Sequence, residues 1–423
     1  MHMEYSHFPR RPRYPRREVG IRKIGAKLAA TSVIVLLLGL LVSLSGCETL
    51  KFWGKDSKKR ALPPAPLVKF EPREQLQRLW RQKVGAASND PYVKLIPVVR
   101  KERLFAATLE GGIHAYDART GAPLWETDIE LPIRGGPGLG DTTVLVGTNN
   151  GDVVALSQDN GKLLWKAKVS SEVLAVPRGS QGVVVARTID GKLFGLDGND
   201  GSRRWLYERS VPVLTLRGTS APVFGGDFVI SGFDGGQLAA VSIKDGFTIW
   251  ETRVALPRGR FDIERMVDID GEITVMGNAV YAVTFQGQIA AIDLASGKIF
   301  WKRDMSSYVG LGVHGENLYV TDEQSHLWAL DRRSGESRWH RTEFERRKLT
   351  APVGFSLANS RNYVAVGDFE GYLHILDGDN GDTVARVHVD GEGIVNPPII
   401  VEDANTLYVY GRGGTLAAFR VGN

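Results

Sequence analysis

Residues 111–125 read GGIHAYDARTGAPLW. Ile113 and Ala115 alternate with His114 and Tyr116, the two-residue period of a strand rather than the 3.6-residue period of a helix. The DARTG that follows ends in Gly121, the residue type that supplies the positive φ a hairpin loop needs. Gly111 lies ten residues before that glycine and Trp125 four residues after it. The same frame returns as GDVVALSQDNGKLLW to Trp165, GKLFGLDGNDGSRRW to Trp205, GQLAAVSIKDGFTIW to Trp250, GQIAAIDLASGKIFW to Trp301 and SHLWALDRRSGESRW to Trp339. A seventh copy, GYLHILDGDNGDTVA, places Ala385 where the Trp would stand. Its opening positions are Gly111, Gly151, Gly191, Gly236, Gly287, Ser325 and Gly371, and the spacing never varies.

Ahead of each hairpin lies a further strand pair, often opened by a proline (Pro137, Pro177, Pro222, Pro352), which a strand tolerates best at its first residue. Four strands per repeat make a propeller blade. The ends of the chain supply one more. Residues 407–420 (LYVYGRGGTLAAFR) match the first half of the frame and stop before its turn, while residues 76–84 (LQRLWRQKV) carry Trp80 and match the missing last strand. Joining them leaves no open sheet edge in the ring. The expected fold is therefore all-β: an eight-bladed β-propeller of four-stranded antiparallel blades, closed by pairing the N- and C-terminal segments. Seven of the nine Trp (Trp80, Trp125, Trp165, Trp205, Trp250, Trp301, Trp339) occupy the frame, so they read as structural packing against glycines of the neighbouring blade. Ala385 breaks the rule, and its blade is expected to be the least well clamped.

Composition agrees with one large repeat domain. The chain has 423 residues, 43% hydrophobic and 24% charged, with 49 Gly, which excludes a mostly disordered or collagen-like polymer. A single Cys excludes an internal disulfide and a cysteine-cluster metal site. The net charge of +5 comes from the first 46 residues, which hold eight Lys/Arg and two acids; the remainder carries 45 basic and 46 acidic residues. Nucleic-acid binding therefore has no global electrostatic case.

The N-terminus divides the chain into three. Residues 1–46 form a signal peptide, basic up to Lys27 and apolar from Leu28 to Leu44. Leu44-Ser45-Gly46-Cys47 resembles a bacterial lipobox, so Cys47 is the expected lipidation site. Several acyl chains hold a protein on a membrane where one holds it only marginally. By resemblance to lipoprotein sorting signals, Glu48 at the next position directs the chain to the outer membrane, facing the periplasm. Residues 47–71 are basic and then Pro-rich, without strand or helix period, and read as a flexible tether. Residues 72–423 are the propeller.

The repeats resemble the pyrroloquinoline-quinone-like propeller family. With the lipobox and tether, the whole is similar to the scaffold lipoproteins of the outer-membrane β-barrel assembly (Bam) machinery. That resemblance implies a non-enzymatic, cofactor-free member of the Bam complex that binds the POTRA domains of BamA and assists folding and insertion of β-barrel proteins. It also implies contact residues. The connection 209–220 (RSVPVLTLRGTS) contains the family's LTLRG segment, which assigns partner binding to Leu214, Leu216 and Arg217. The connection 255–271 (ALPRGRFDIERMVDIDG) contains VDID, which assigns it to Asp268 and Asp270. Independently of any resemblance, these are two successive enlarged connections from the last strand of one blade to the first strand of the next. Both should emerge on one face from adjacent blades, where loops on a rigid frame concentrate binding. Outer strands could also lend their edges to unfolded barrel clients by strand addition.

Other readings are open to the repeat. A quinoprotein dehydrogenase uses it too, but the expected cysteine pair and calcium carboxylates are missing here, and a propeller scaffold with another periplasmic partner is a further alternative. Asp197–Gly201 and Asp377–Gly381 look like pieces of a calcium loop but lack its terminal Glu and sit in hairpin turns. No metal site is expected. Gly136–Gly140 mimics a dinucleotide loop without a following helix. Arg346, Arg347 and Lys348 read as a solvated face.

Overall fold

Each copy of the frame forms the third and fourth strands of a four-stranded antiparallel sheet. In the first, β4 (Gly112–Asp117) turns through Gly121 at φ 73° into β5 (Pro123–Asp128), and β2 (Val98–Arg100) and β3 (Arg103–Ala107) precede them. The computed structural model describes residues 62–423 apart from 88, 89, 91, 213, 215–217, 358–360, 402–404 and 423. Among these residues 32 strands, β1 to β32, make eight such sheets, each ordered by sequence from first strand to fourth except the closing one. Blades 1 to 7 begin with β2, β6 (Ile133–Leu139), β10 (Arg178–Ser180), β14 (Val223–Gly225), β18 (Thr274–Met276), β22 (Leu311–His314) and β26 (Val353–Ser356). These opening strands touch their counterparts in neighbouring blades and so stand innermost.

Closure is by the chain ends. β1 (Leu76–Lys83) pairs antiparallel with β32 (Thr415–Val421), from Leu76 opposite Val421 to Lys83 opposite Thr415. With β30 (Ile399–Val401) and β31 (Thr406–Tyr410) it completes blade 8. The apolar–polar alternation of the frame does not leave one face of the middle strands in solvent. β4, β7 (Thr143–Thr148) and their equivalents are buried on both faces, because each blade packs between two others.

The Trp–Gly clamp recurs from blade to blade. Each Trp lies on an outermost strand and rests on the hairpin glycine of the next blade. A Cβ on Gly121 would meet the Trp80 ring at 2.6 Å, one on Gly201 the Trp165 ring at 2.6 Å, and one on Gly246 the Trp205 ring at 2.8 Å. The indole N–H of Trp165 donates to the carbonyl of Gly198 (2.9 Å), and that of Trp205 to Ile243 (2.8 Å). Glycine is therefore demanded twice, by positive φ and by close approach. The exception at Ala385 follows from closure. The blade after it is blade 8, whose third and fourth strands belong to opposite ends of the chain, so there is no hairpin glycine for a Trp to cover. Ala385 is buried instead, packed in a cluster with Leu76, Val384 and Phe419.

Three further expectations are corrected. Pro137 lies inside β6 rather than at its start, where the register with β7 slips between Gly135 and Gly138; such an irregularity removes the need for its N–H. The segment taken as tether is partly docked. From Pro63 onward the chain packs on blades 6 and 7, where the Arg346 side chain donates to the Pro63 carbonyl and the Ala65 N–H donates to Glu345. Arg73 and Glu74 N–H groups then both bond the Val384 carbonyl (2.9 and 3.2 Å). This strap is fastened by a buried network that overturns the solvated reading for Arg347, while Lys348 is exposed as expected. Arg347 is buried against Asp368 (2.7 Å) and Glu370 and donates to the Ala65 carbonyl (2.9 Å). His374 contacts Asp368 through Nε2 (3.0 Å) and accepts at Nδ1 from Arg386 (3.0 Å). An arginine only donates, so His374 is neutral with its proton on Nε2.

Candidate functional site

The long connections leave blades 3 and 4 on the same face. The first joins β13 (Arg203–Glu208) to β14, and the second joins β17 (Thr248–Arg253) to β18. The turns between second and third strands open on that face too, among them the turn holding Asp234, between β15 (Phe228–Phe233) and β16 (Gln237–Ser242). Gly218 of the first connection sits against the Asp270 carboxylate, which a Cβ there would approach to 2.6 Å.

Of the residues expected to bind a partner, Leu214 is 45% exposed. Leu216, Arg217 and the lipidation residue Cys47 lie outside the described residues. Asp268 and Asp270 are buried, at 1% and 4% exposure, beneath the connections rather than on their outer surface. Asp268 accepts from the Gly235 N–H (2.9 Å), while neither oxygen of Asp270 has a hydrogen-bond partner among the described residues. Arg187, the last residue of β11 (Val183–Arg187) and 1% exposed, interacts electrostatically with Asp234, Asp270 and Asp268. Its Nη2 is 3.8 Å from Asp234 and its guanidinium carbon stands 5.0 Å above the centre of the Phe233 ring. Burial, then repulsion from Asp268, pushes Asp270 up to about 7 against the pull of Arg187. Burial likewise raises Asp234 to about 6 despite Arg187. Among the described residues, Lys94 and Tyr92 also act electrostatically on Asp270.

The second connection also exposes Leu256, Phe261 and Ile263, the second of them 67% exposed. A short 3-10 turn at Asp262–Arg265 starts after Phe261 and carries Ile263, and the Glu264 carboxylate accepts from the Arg260 N–H (2.8 Å). Sequence reasoning passed over these three, though apolar side chains in a long, Gly- and Arg-bearing connection were a signal in plain view. Among the described residues no group of three or more His, Cys, Asp or Glu could hold a metal. The calcium-like runs are turns: Asp197 accepts from the Asn199 N–H (2.8 Å) and pairs with Arg204.

A family model described as outer membrane protein assembly factor BamB matches residues 73–137 and 109–341. A protein of that name from Pseudomonas aeruginosa is 47% identical over 385 residues, covering 91% of this chain and 98% of its own. The chain belongs to the BamB family. Its namesake from Xanthomonas campestris is 38% identical over 92% of this chain and 97% of its own. The solved structure of BamB from Moraxella catarrhalis superposes with a TM-score of 0.73 at 27% identity, covering 82% of this chain and all of that one. A quinohemoprotein alcohol dehydrogenase from Pseudomonas putida shares the fold alone, at 12% identity and a TM-score of 0.66 over 82% of this chain and 76% of its own.

Proposed function

We propose that this chain is a lipid-anchored scaffold, held on the outer membrane through Cys47, that docks on the periplasmic POTRA domains of BamA through the connections of blades 3 and 4. Membership of the BamB family makes it an outer membrane protein assembly factor of the Bam complex, a scaffold and not an enzyme. The observation that carries the docking reading is the exposure of Leu214, Leu256, Phe261 and Ile263 on two connections of adjacent blades. Apolar anchors on a rigid frame are what a partner pocket takes hold of. Leu216 and Arg217 contribute a further anchor and a bidentate donor. Asp268 and Asp270 act from beneath, by fixing the loops.

The test is binding of the full-length chain to immobilised BamA. Leu214→Glu with Phe261→Glu should weaken it by about 2 kcal/mol or more, some thirtyfold. The thermal melt should not move, because both side chains are exposed. Retained affinity refutes this surface. A second mode is favoured by the strap itself, whose Arg73 and Glu74 N–H groups already bond the outer strand of blade 7. Extended client strands can pair in the same manner with uncovered outer strands that expose Ile249 and Phe300. Photo-crosslinkers at those two positions should capture a denatured barrel precursor; an empty crosslink profile rejects the idea.

A further inference from the structure

Arg187 belongs to neither connection, yet acids of the loop face converge on it. We infer that Arg187 is a positioning residue for the docking surface. It gathers Asp234 from blade 4, and Asp268 and Asp270 from the blade 4–5 connection, onto one cation of blade 3. The inference rests on the docking reading above and adds the group that holds the surface in shape.

The propeller itself has no need of a cation at this place. Arg187 stands four residues ahead of the opening position Gly191; the other seven blades place Ala107, Gly147, Gly232, Val283, Thr321, Gly367 and Tyr410 there. Only the blade that leads into the first long connection carries a charge, and there it is buried to 1% exposure. Its Nε and Nη1 have no hydrogen-bond partner among the described residues, and neither has Thr219 Oγ1 or the Asp270 carboxylate. A buried guanidinium so poorly bonded is a poor stability device, because desolvation exceeds what a single 3.8 Å ion pair returns. Its value lies in where the acids are held. Asp268 fixes the Gly235 N–H and thus the blade 4 turn, and Asp270 is the wall on which Gly218 of the first connection rests. Loss of the cation leaves Asp234, Asp268 and Asp270 repelling one another, with Lys94 and Tyr92 the other titratable groups that act on Asp270 among the described residues. Repulsion among them pushes the two connections apart, and Leu214 and Phe261 with them.

The experiment measures affinity of the full-length chain, in detergent, for immobilised BamA at several pH values. Arg187→Gln should lose at least about tenfold, within the usual range of coupling between a buried element and a binding surface. The loss should deepen as pH rises past about 7, because Asp234 and Asp270, no longer drawn down by Arg187, then ionise. Adding Asp270→Asn to Arg187→Gln should recover most of the affinity and flatten the pH profile. Trp339→Phe, remote from the loops, should keep full affinity at whatever melt it has. Affinity in Arg187→Gln equal to the parent, or a loss that neither varies with pH nor is relieved by Asp270→Asn, overturns the inference. Should Arg187→Gln not fold, Arg187→Lys reads the same quantity. It keeps the charge without the fork and should bind a few-fold more weakly than the parent; unchanged affinity overturns the inference. The docking reading fails separately, by retained binding in Leu214→Glu with Phe261→Glu.

Discussion

Blade 4 contains its own control for the clamp that builds this ring. Gly246 and Gly226 both have positive φ, 73° and 62°. A methyl group on Gly246 would meet the Trp205 ring at 2.8 Å, whereas one on Gly226 would find nothing within 4 Å. Gly226→Ala should therefore cost only left-handed strain, about 1 kcal/mol. Gly246→Ala adds to the same strain the displacement of a buried indole that also donates to the Ile243 carbonyl (2.8 Å). Overpacking of this kind costs about 1–3 kcal/mol, for a total of roughly 2–4 kcal/mol. Trp205→Ala alone should cost about 3–5 kcal/mol. In that background Gly246→Ala should fall back to the strain of about 1 kcal/mol, since the ring it strikes is gone. Equilibrium urea unfolding followed by circular dichroism reads all four, and coincidence with a second probe checks that one transition is measured. Equal costs for Gly246→Ala and Gly226→Ala would refute the reasoning. The glycine would then be present for its backbone alone, and the Trp would pack independently of it.

Two buried groups should move stability with pH in opposite directions. Asp270 is raised from 3.8 to about 7 in the folded state, so folding favours its protonated form, and the stability it lends at acid pH is lost as pH rises through that window. Asp270→Asn should accordingly stabilise the chain more at pH 8 than at pH 5, by about 1–3 kcal/mol, in paired urea titrations; a pH-independent difference would contradict the burial of that carboxylate. His374 is held below its ordinary value by burial, against the pull of Asp368. The unfolded chain then takes up its proton first, so this contribution is complete above about pH 6.5 and is lost as pH falls below it. His374→Gln should flatten the acid limb of the melt profile, and an unchanged limb would assign acid sensitivity elsewhere. Cys47→Ala should shift the chain from the outer-membrane fraction to the soluble periplasmic fraction, a distribution read by fractionation and immunoblot.

The repeat made the fold legible because its demands are local. A hairpin glycine at positive φ, a fixed distance to a Trp and a truncated copy at each terminus are all one-dimensional signals. They set blade number, strand order and closure, and those were read correctly from the chain. Burial on both faces of the middle strands was less visible, since it depends on neighbours that a single blade does not contain. The exception at Ala385 is instructive for the same reason. In sequence it looks like a weakened clamp, and only the closed ring shows that blade 8 has no hairpin for a Trp to cover.

The loop face divides in the same way. The lengths of the connections 209–220 and 255–271 marked it, and strand order put them on adjacent blades. Depth was out of reach of the pattern. Asp268 and Asp270 look like surface charges in VDID, yet they lie under the connections, and Arg347 looks solvated in ERRKL, yet it grips the strap. Arg187, in the run VVVART, gives no sign of its role, because the acids that surround it come from residues 47 to 83 positions further along the chain. Sequence by itself determined the blades, because strand period and turn chemistry act between near neighbours. Tertiary structure decided which charges face water, because desolvation is set by everything that packs around a group, whatever its distance along the chain.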